Sequence, residues 1–327
     1  MKTFNCLIFT KKPTPECHAS TVLPLPDGTV LAAWFGGTRE STGDVDIWVS
    51  RFENGEWSKP YRISAYRTIP HWNPVLFLRK DGTVQLFFKV GRHIPSWRTF
   101  TCFSTDGGRS FSKPQELVPG DRCGGRGPVK NKAIRLESGR VLAPASTEKK
   151  GWQCFVDISD DDGASWRKTE KIETDKVAAI LNSDNGYTTN AVPMIQPTLW
   201  ESAPGKVHML TRTAKGRIYR SDSSDAGETW CRAYPTVLPN NNSGIDLDMT
   251  PDGRLFLLSN PVSENWGDRT PLTLQMSEDN GETWQTILTL EDVEGEFSYP
   301  AIKYYEGKLY ITYTHDRKEI SYWEITL

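Results

Sequence analysis

No apolar run in the 327-residue chain approaches the roughly eighteen residues that a membrane-spanning helix needs, so no membrane partner is expected. The chain also lacks an excess of one charge: 39 Lys and Arg face 41 Asp and Glu, for a formal charge of −2. Phosphate binding needs a basic face, which sets nucleic acid aside as the main partner. The six cysteines, Cys6, Cys17, Cys102, Cys123, Cys154 and Cys231, never form a C-x-x-C pair. No zinc or other metal site is therefore expected, and the thiols read as buried and free. Phosphate loop, dinucleotide fingerprint and G-x-S-x-G elbow are all missing, so no cofactor is expected. The N-terminal MKTFNCLIFTKKPTPECH has a short apolar stretch followed by Lys11 and Lys12, unlike a secretory leader, and a cytoplasmic location is the expectation. Aliphatic residues are sparse as well. Hydrophobic residues make up only 37% of the chain, yet there are 12 Trp, 26 Gly and 21 Pro, a composition suited to many short strands.

Two interleaved repeats organise those strands. A glycine turn followed by an apolar run recurs at Gly28, Gly82, Gly139, Gly205, Gly253 and Gly307, with a period of about 54 residues. Glycine supplies the positive φ that a tight hairpin demands. The second repeat, S-x-D-x-G-x-[ST]-[WF], occupies Ser104–Phe111, Ser159–Trp166, Ser223–Trp230 and Ser277–Trp284, with Arg51–Trp57 as a degenerate fifth copy. Its aspartate can accept turn N–H groups while its aromatic residue packs between sheets. Six units of about four short strands predict an all-β fold, a six-bladed β-propeller forming a single domain over 1–327. The segment Phe4–Phe9 should close the ring against the last blade.

A hairpin returns to the level it left, so strand starts and strand exits should gather at one mouth. The starts carry His18, His71, Trp72 and Asn73, Lys130 to Lys132, Gln196, Ser243 to Asp246, and Tyr299. The exits carry Arg39, Glu40 and Asp44, then Lys89, Arg92 and His93, then Glu148, Arg212, Asn260, Asn265 and Arg317. A polar pocket at such a mouth is the expected ligand site.

The four S-x-D-x-G-x-[ST]-[WF] turns resemble the Asp boxes of the sialidase (neuraminidase) superfamily. WFGGTRE…DVDIW, WNPVLF, GPVKNK, QPTLW, NNSGID and EFSYPA are similar to its sialidase-like BNR-repeat branch. The resemblance implies a glycoside hydrolase that grips a substrate carboxylate with arginines, attacks with a tyrosine activated by a glutamate, and protonates with an aspartate in a loop. Carried over, it makes Arg212 and Arg269 substrate-binding, Tyr299 the nucleophile and Asp44 the acid/base, with Asp46 and Glu40 as competing carboxylates. Three positions depart from the pattern. His18 stands where the first arginine belongs, Gln196 near the activating glutamate, and Thr312–Thr314 near the carboxylate that braces the first arginine. Glu296 is close to Tyr299 in sequence, but regular alternation puts residues three apart on opposite faces.

The leading expectation is thus an exo-acting hydrolase for an acidic or polar glycan terminus, with an acidic oligosaccharide as substrate. Asp44, Tyr299, Glu40 and His18 are its catalytic candidates. Arg39, Arg212, Arg269, His71, Lys130, Gln196, Asp246 and Arg317 are its binding candidates. Two alternatives stay open: a lyase on uronate-containing glycans using His/Tyr acid–base chemistry, and a non-catalytic carbohydrate-binding propeller in which Trp72, Trp97 and Trp266 are candidates for stacking on sugar faces.

Overall fold

A computed structural model of the chain describes residues 2–181 and 188–327. It is an all-β, six-bladed propeller with one short 3-10 turn, Ile94–Ser96, and no α-helix among the described residues. The innermost strands of blades 1 to 6 are Glu16–Pro24, His71–Leu78, Ile134–Arg135, Met194–Ala203, Asp246–Met249 and Phe297–Tyr305. Each blade is an antiparallel sheet of four strands, in chain order in blades 1 to 5. Blade 1 gains Tyr61–Ile63 as an extra edge, and a separate hairpin, Lys176–Leu181 with Thr188–Ala191, follows blade 3.

The ring closes where expected, two residues earlier in the chain. Lys2–Leu7 forms the outer strand of blade 6, pairing with Glu319–Thr326 from Lys2↔Thr326 to Leu7↔Ser321. The seam between blades 1 and 6 is then filled by Phe9, Trp34, Ala301, Ile320 and Tyr322, all buried. Similar apolar layers separate the other blades, as with Trp200, Leu210, Leu247 and Leu255 between blades 4 and 5.

Both repeats do local work. The six turn glycines adopt φ between 74° and 91°, as the hairpins require. In the box at Ser277–Trp284, Asp279 accepts the Thr283 N–H at 2.9 Å and the hydroxyls of Thr283 and Ser277 at 2.5 and 2.8 Å. The Trp284 indole N–H closes the turn on the Gly281 carbonyl at 3.0 Å. The boxes at Ser159 and Ser223 repeat this pattern, and the one at Ser104 ends in Phe111 instead. Arg51–Trp57, by contrast, is a plain hairpin turning at Asn54 and Gly55, with Trp57 packed on Phe52 and Tyr322. All six cysteines are free. Cys17, Cys102 and Cys154 are buried, Cys6 and Cys123 half-buried, and Cys231 is exposed, so the expectation of burial fits only three of them.

One further feature recurs in four blades. Two inner-strand residues oppose a single partner in each: Ala19 and Ser20, Asn73 and Pro74, Gln196 and Pro197, Tyr299 and Pro300. Ala19, Asn73, Gln196 and Tyr299 all have positive φ, between 42° and 55°. These are β-bulges, which re-aim side chains and raise local twist. Proline suits the second position because it has no N–H to leave unpaired.

Hydrogen bonds, that of the Thr283 hydroxyl first, hold the Asp279 carboxyl down at about 2 from its usual 3.8. A depressed carboxylate pKa contributes stability that is complete above the unfolded value and is lost as pH falls through the folded one. Thermal unfolding should therefore show Tm falling between about pH 4 and pH 2, and Asp279→Asn should flatten that segment of the curve. An unchanged acid limb in the variant would contradict the role given to the box.

Candidate active site

The bulge in blade 6 points Tyr299 at the axis, and the bulge in blade 4 brings Gln196 to it. Arg212, on the second strand of blade 4, donates Nη1–H to the Tyr299 hydroxyl at 2.6 Å and to Gln196 Oε1 at 3.1 Å. Its Nε–H goes to Asn242 Oδ1 at 2.8 Å. Gln196 Nε2 lies 3.4 Å from the same Tyr299 oxygen. Asn131 holds the Gln196 bulge through the carbonyls of residues 196 and 197, and Asn260 holds the start of the Tyr299 strand through the Phe297 carbonyl.

Cations surround the phenol. The guanidinium of Arg269 lies 5.6 Å from the Tyr299 ring centroid, that of Arg212 5.8 Å, and the Lys130 amine 5.9 Å. His18 packs on the ring with centroids 4.2 Å apart. Two glutamates brace the cluster from outside. Glu296 Oε1 accepts Arg269 Nη1–H at 2.6 Å and Arg317 Nε–H at 2.9 Å. Glu40 takes the other end of Arg317. His18, Glu40 and Arg317 line one small cleft. Arg317 thus stands on the His18 side of Tyr299. Thr314 Oγ1 accepts the Ala19 N–H at 3.1 Å, which puts the missing brace beside the strand of His18. Among the described residues no carboxylate touches the Tyr299 hydroxyl.

His18 is 3% exposed and its Nδ1 has no hydrogen-bond partner. Burial first, then the positive field of Arg317, Arg269, Lys130 and Arg212, pushes its pKa well below the usual value, so the ring is neutral.

The bulges also overturn several expectations. Alternation fails between residues 296 and 299, so Glu296 reaches the arginines instead of the far face. Trp72 and Trp97 are 3% and 6% exposed, their rings 5.2 Å apart, and serve packing. Trp266 is 58% exposed and forms an aromatic wall with Trp152, which the sequence reading overlooked. Arg212 lies against both indoles, at 5.3 and 5.5 Å. His71 is buried with Nδ1 on the Val45 carbonyl and Nε2 accepting the Ala65 N–H, which leaves no ring nitrogen for a ligand. Lys130 donates to Asn131 Oδ1 and to the carbonyls of Ile245 and Pro300, and burial pushes its pKa down to about 7. Asp246 is tied to Lys132, Thr198 and the Ile302 N–H. Lys130 and Asp246 therefore form the floor of the site. Arg269 lies in the loop before its blade 5 strand.

The two loop carboxylates differ. Asp44 is exposed, with its oxygens on the Thr38 N–H, the Thr38 hydroxyl at 2.6 Å and the Thr42 hydroxyl at 2.5 Å. The Thr38 hydroxyl first, then that of Thr42, lowers its pKa. Glu40 joins the arginine cluster directly, while Arg39 is exposed beside it.

Comparison with known proteins agrees with this architecture. The sequence pattern described as the BNR repeat-like domain matches residues 28–311. No curated protein matches the chain by sequence. Among solved structures, the Hadza microbial sialidase Hz136 superposes with a TM-score of 0.78 at 16% identity, covering 95% of this chain and 66% of its own. A Dyadobacter fermentans protein of unknown function gives 0.80 at 15% identity, with 99% and 98% covered. The Trypanosoma rangeli sialidase in complex with sialic acid gives 0.73 at 15% identity, with 98% and 58% covered. This chain spans less than two thirds of either sialidase. At these identities the likeness is one of fold.

The neutrality of His18 is directly measurable. Its imidazole ¹⁵N shifts should stay those of the neutral ring as pH falls through the ordinary histidine midpoint of about 6.5. A midpoint at the ordinary value would contradict the burial and field described above.

Proposed function

The chain belongs to the BNR repeat-like domain family, and from that premise we propose that it is an exo-acting glycoside hydrolase for a glycan terminus bearing a carboxylate. The observation that carries this reading is Arg212 bonded to the Tyr299 hydroxyl at 2.6 Å, with Arg269 beside the same ring. Arg212, Arg269 and Arg317 are the carboxylate's partners, since guanidinium forks suit planar anions. In this reading Arg317, reaching in from blade 6, does the work of the arginine that His18 displaces. The sialidase solved with sialic acid, itself a carboxylated sugar, supports that class of ligand. Tyr299 attacks or stabilises the oxocarbenium-like centre, and a carboxyl from the loop at 38–44 protonates the leaving oxygen. Glu40 suits the second role better than Asp44. A substrate carboxylate competes with Glu40 for Arg317 and frees it, whereas Asp44 is held by Thr38 and Thr42.

One observation favours the lyase reading as an alternative. The neutral His18, with an unpartnered Nδ1 against Tyr299, is a base of the kind that removes a proton beside a uronate carboxylate.

A panel of acidic aryl-glycosides and uronate oligosaccharides, read for reducing ends and for ultraviolet absorbance of unsaturated products, separates the two. Hydrolysis without new absorbance is expected. Tyr299→Phe should lower kcat by about 100-fold or more, and Arg317→Ala should act mainly through KM. Full activity in Tyr299→Phe would overturn the site, and an absorbing product that depends on His18 would establish the lyase.

A further inference from the structure

Blade 4 carries a second reactive cluster at the other end of the Arg212 hairpin. His208 and Asp222 are directly opposed in the ladder between Lys206–Thr213 and Arg217–Ser223, so their side chains share a face. Across the hairpin, the register shifts between Glu201 and Ala203, which makes Ser202 a bulge residue. The result is a relay. Ser202 Oγ lies 2.6 Å from His208 Nε2, and His208 Nδ1 lies 2.5 Å from Asp222 Oδ1.

The protonation pattern follows from the partners. Burial opposes ionisation of Asp222, but hydrogen bonds from His208, Tyr234 and Arg220 outweigh it and hold the carboxyl well below its usual pKa. The Tyr234 hydroxyl donates to Oδ2 at 2.7 Å, and Arg220 Nε–H donates to Oδ1 at 2.9 Å. Two groups meet His208 Nδ1, Asp222 Oδ1 at 2.5 Å and Arg220 Nη2 at 3.1 Å. The nearer carboxylate only accepts, so the proton sits on Nδ1 and points to Asp222, and the Nε2 lone pair faces the serine hydroxyl. Trp200 stacks on the imidazole at 4.9 Å and Asn280 Nδ2 approaches Nε2 at 3.3 Å, fixing the ring. His208 is 8% exposed, while Ser202 is open to solvent.

We propose that Ser202, His208 and Asp222 form a second catalytic centre, a serine nucleophile acting on short-chain acyl esters. Ser202 Oγ bonds to the carbonyl carbon and gives its proton to His208 Nε2. The bond from that carbon to the alcohol oxygen breaks, and the alcohol leaves with the same proton. Water then attacks the acyl-serine, passing a proton to His208. The carboxylic acid departs and Ser202 recovers its proton. The open position of Ser202 on a hairpin suits a small acyl group such as acetate. His208 precedes Arg212 by four strand residues, about 13 Å, so the centre is independent of the mouth.

The full chain treated with a biotinylated fluorophosphonate should be labelled at Ser202, as read by peptide mass spectrometry, and should release p-nitrophenol from p-nitrophenyl acetate in a burst. Ser202→Ala, a change at an exposed position, should remove label and burst while leaving glycan chemistry at the mouth unchanged. His208→Gln should slow labelling by about 100-fold or more, with near-ultraviolet circular dichroism confirming the fold. No label at Ser202, or equal labelling in folded His208→Gln, would overturn the proposal.

Discussion

A ring of six sheets holds together only if its first strand lies against its last. Pairing of Lys2–Leu7 with Glu319–Thr326 satisfies that constraint, and the site depends on it. Closure sets blade 1 beside blade 6, which is what packs His18 on Tyr299 and puts Arg317 beside Glu40. Residues nearly three hundred apart in sequence become neighbours because the backbone closes a circle. The bulges then act within that frame. Each adds one residue to an inner strand and turns a side chain that regular pleating would direct elsewhere. Left-handed non-glycine residues are costly, and they concentrate where the surrounding structure fixes a functional group. Tyr299 and Gln196 are two such residues, and they meet at one hydroxyl.

Charge in the mouth is organised by separation. The −2 of the whole chain conceals Arg212, Arg269, Arg317 and Lys130 grouped around one phenol. Glu40 and Glu296 neutralise the outer side of that group, leaving Arg212 and the phenol on the inner side. Arg212 itself lies against Trp152 and Trp266, where aromatic faces offset part of the cost of burying a cation. Exposed Trp266 continues this wall outward.

Local signals were the legible ones. A turn glycine and an Asp box each draw their geometry from fewer than ten consecutive residues, so the blade count and the all-β class could be read directly. Arg212, Gln196 and Tyr299 were found because strand starts and exits must share a face, whereas Arg269, in a loop, was reached only through the family resemblance. Glu296 was misread because alternation assumes an unbroken strand, and the bulge at Tyr299 breaks it. His71, Lys130 and Asp246 were over-read for a related reason. Polar residues at a strand start can face the mouth or bind backbone below it, and only packing distinguishes the two. Trp152 left no comparable signal: its place beside Arg212 depends on the relative position of blades 3 and 4.

The central claim is that the mouth holds a carboxylate between Arg212, Arg269 and Arg317, above Tyr299. Crystals soaked separately with sialic acid and with a uronate monosaccharide test it most directly. The account predicts density for at least one sugar with its carboxylate within hydrogen-bond reach of these guanidinium groups and its ring toward Trp266. Sugar density confined to another face of the propeller, or a carboxylate turned away from all three arginines, would contradict it.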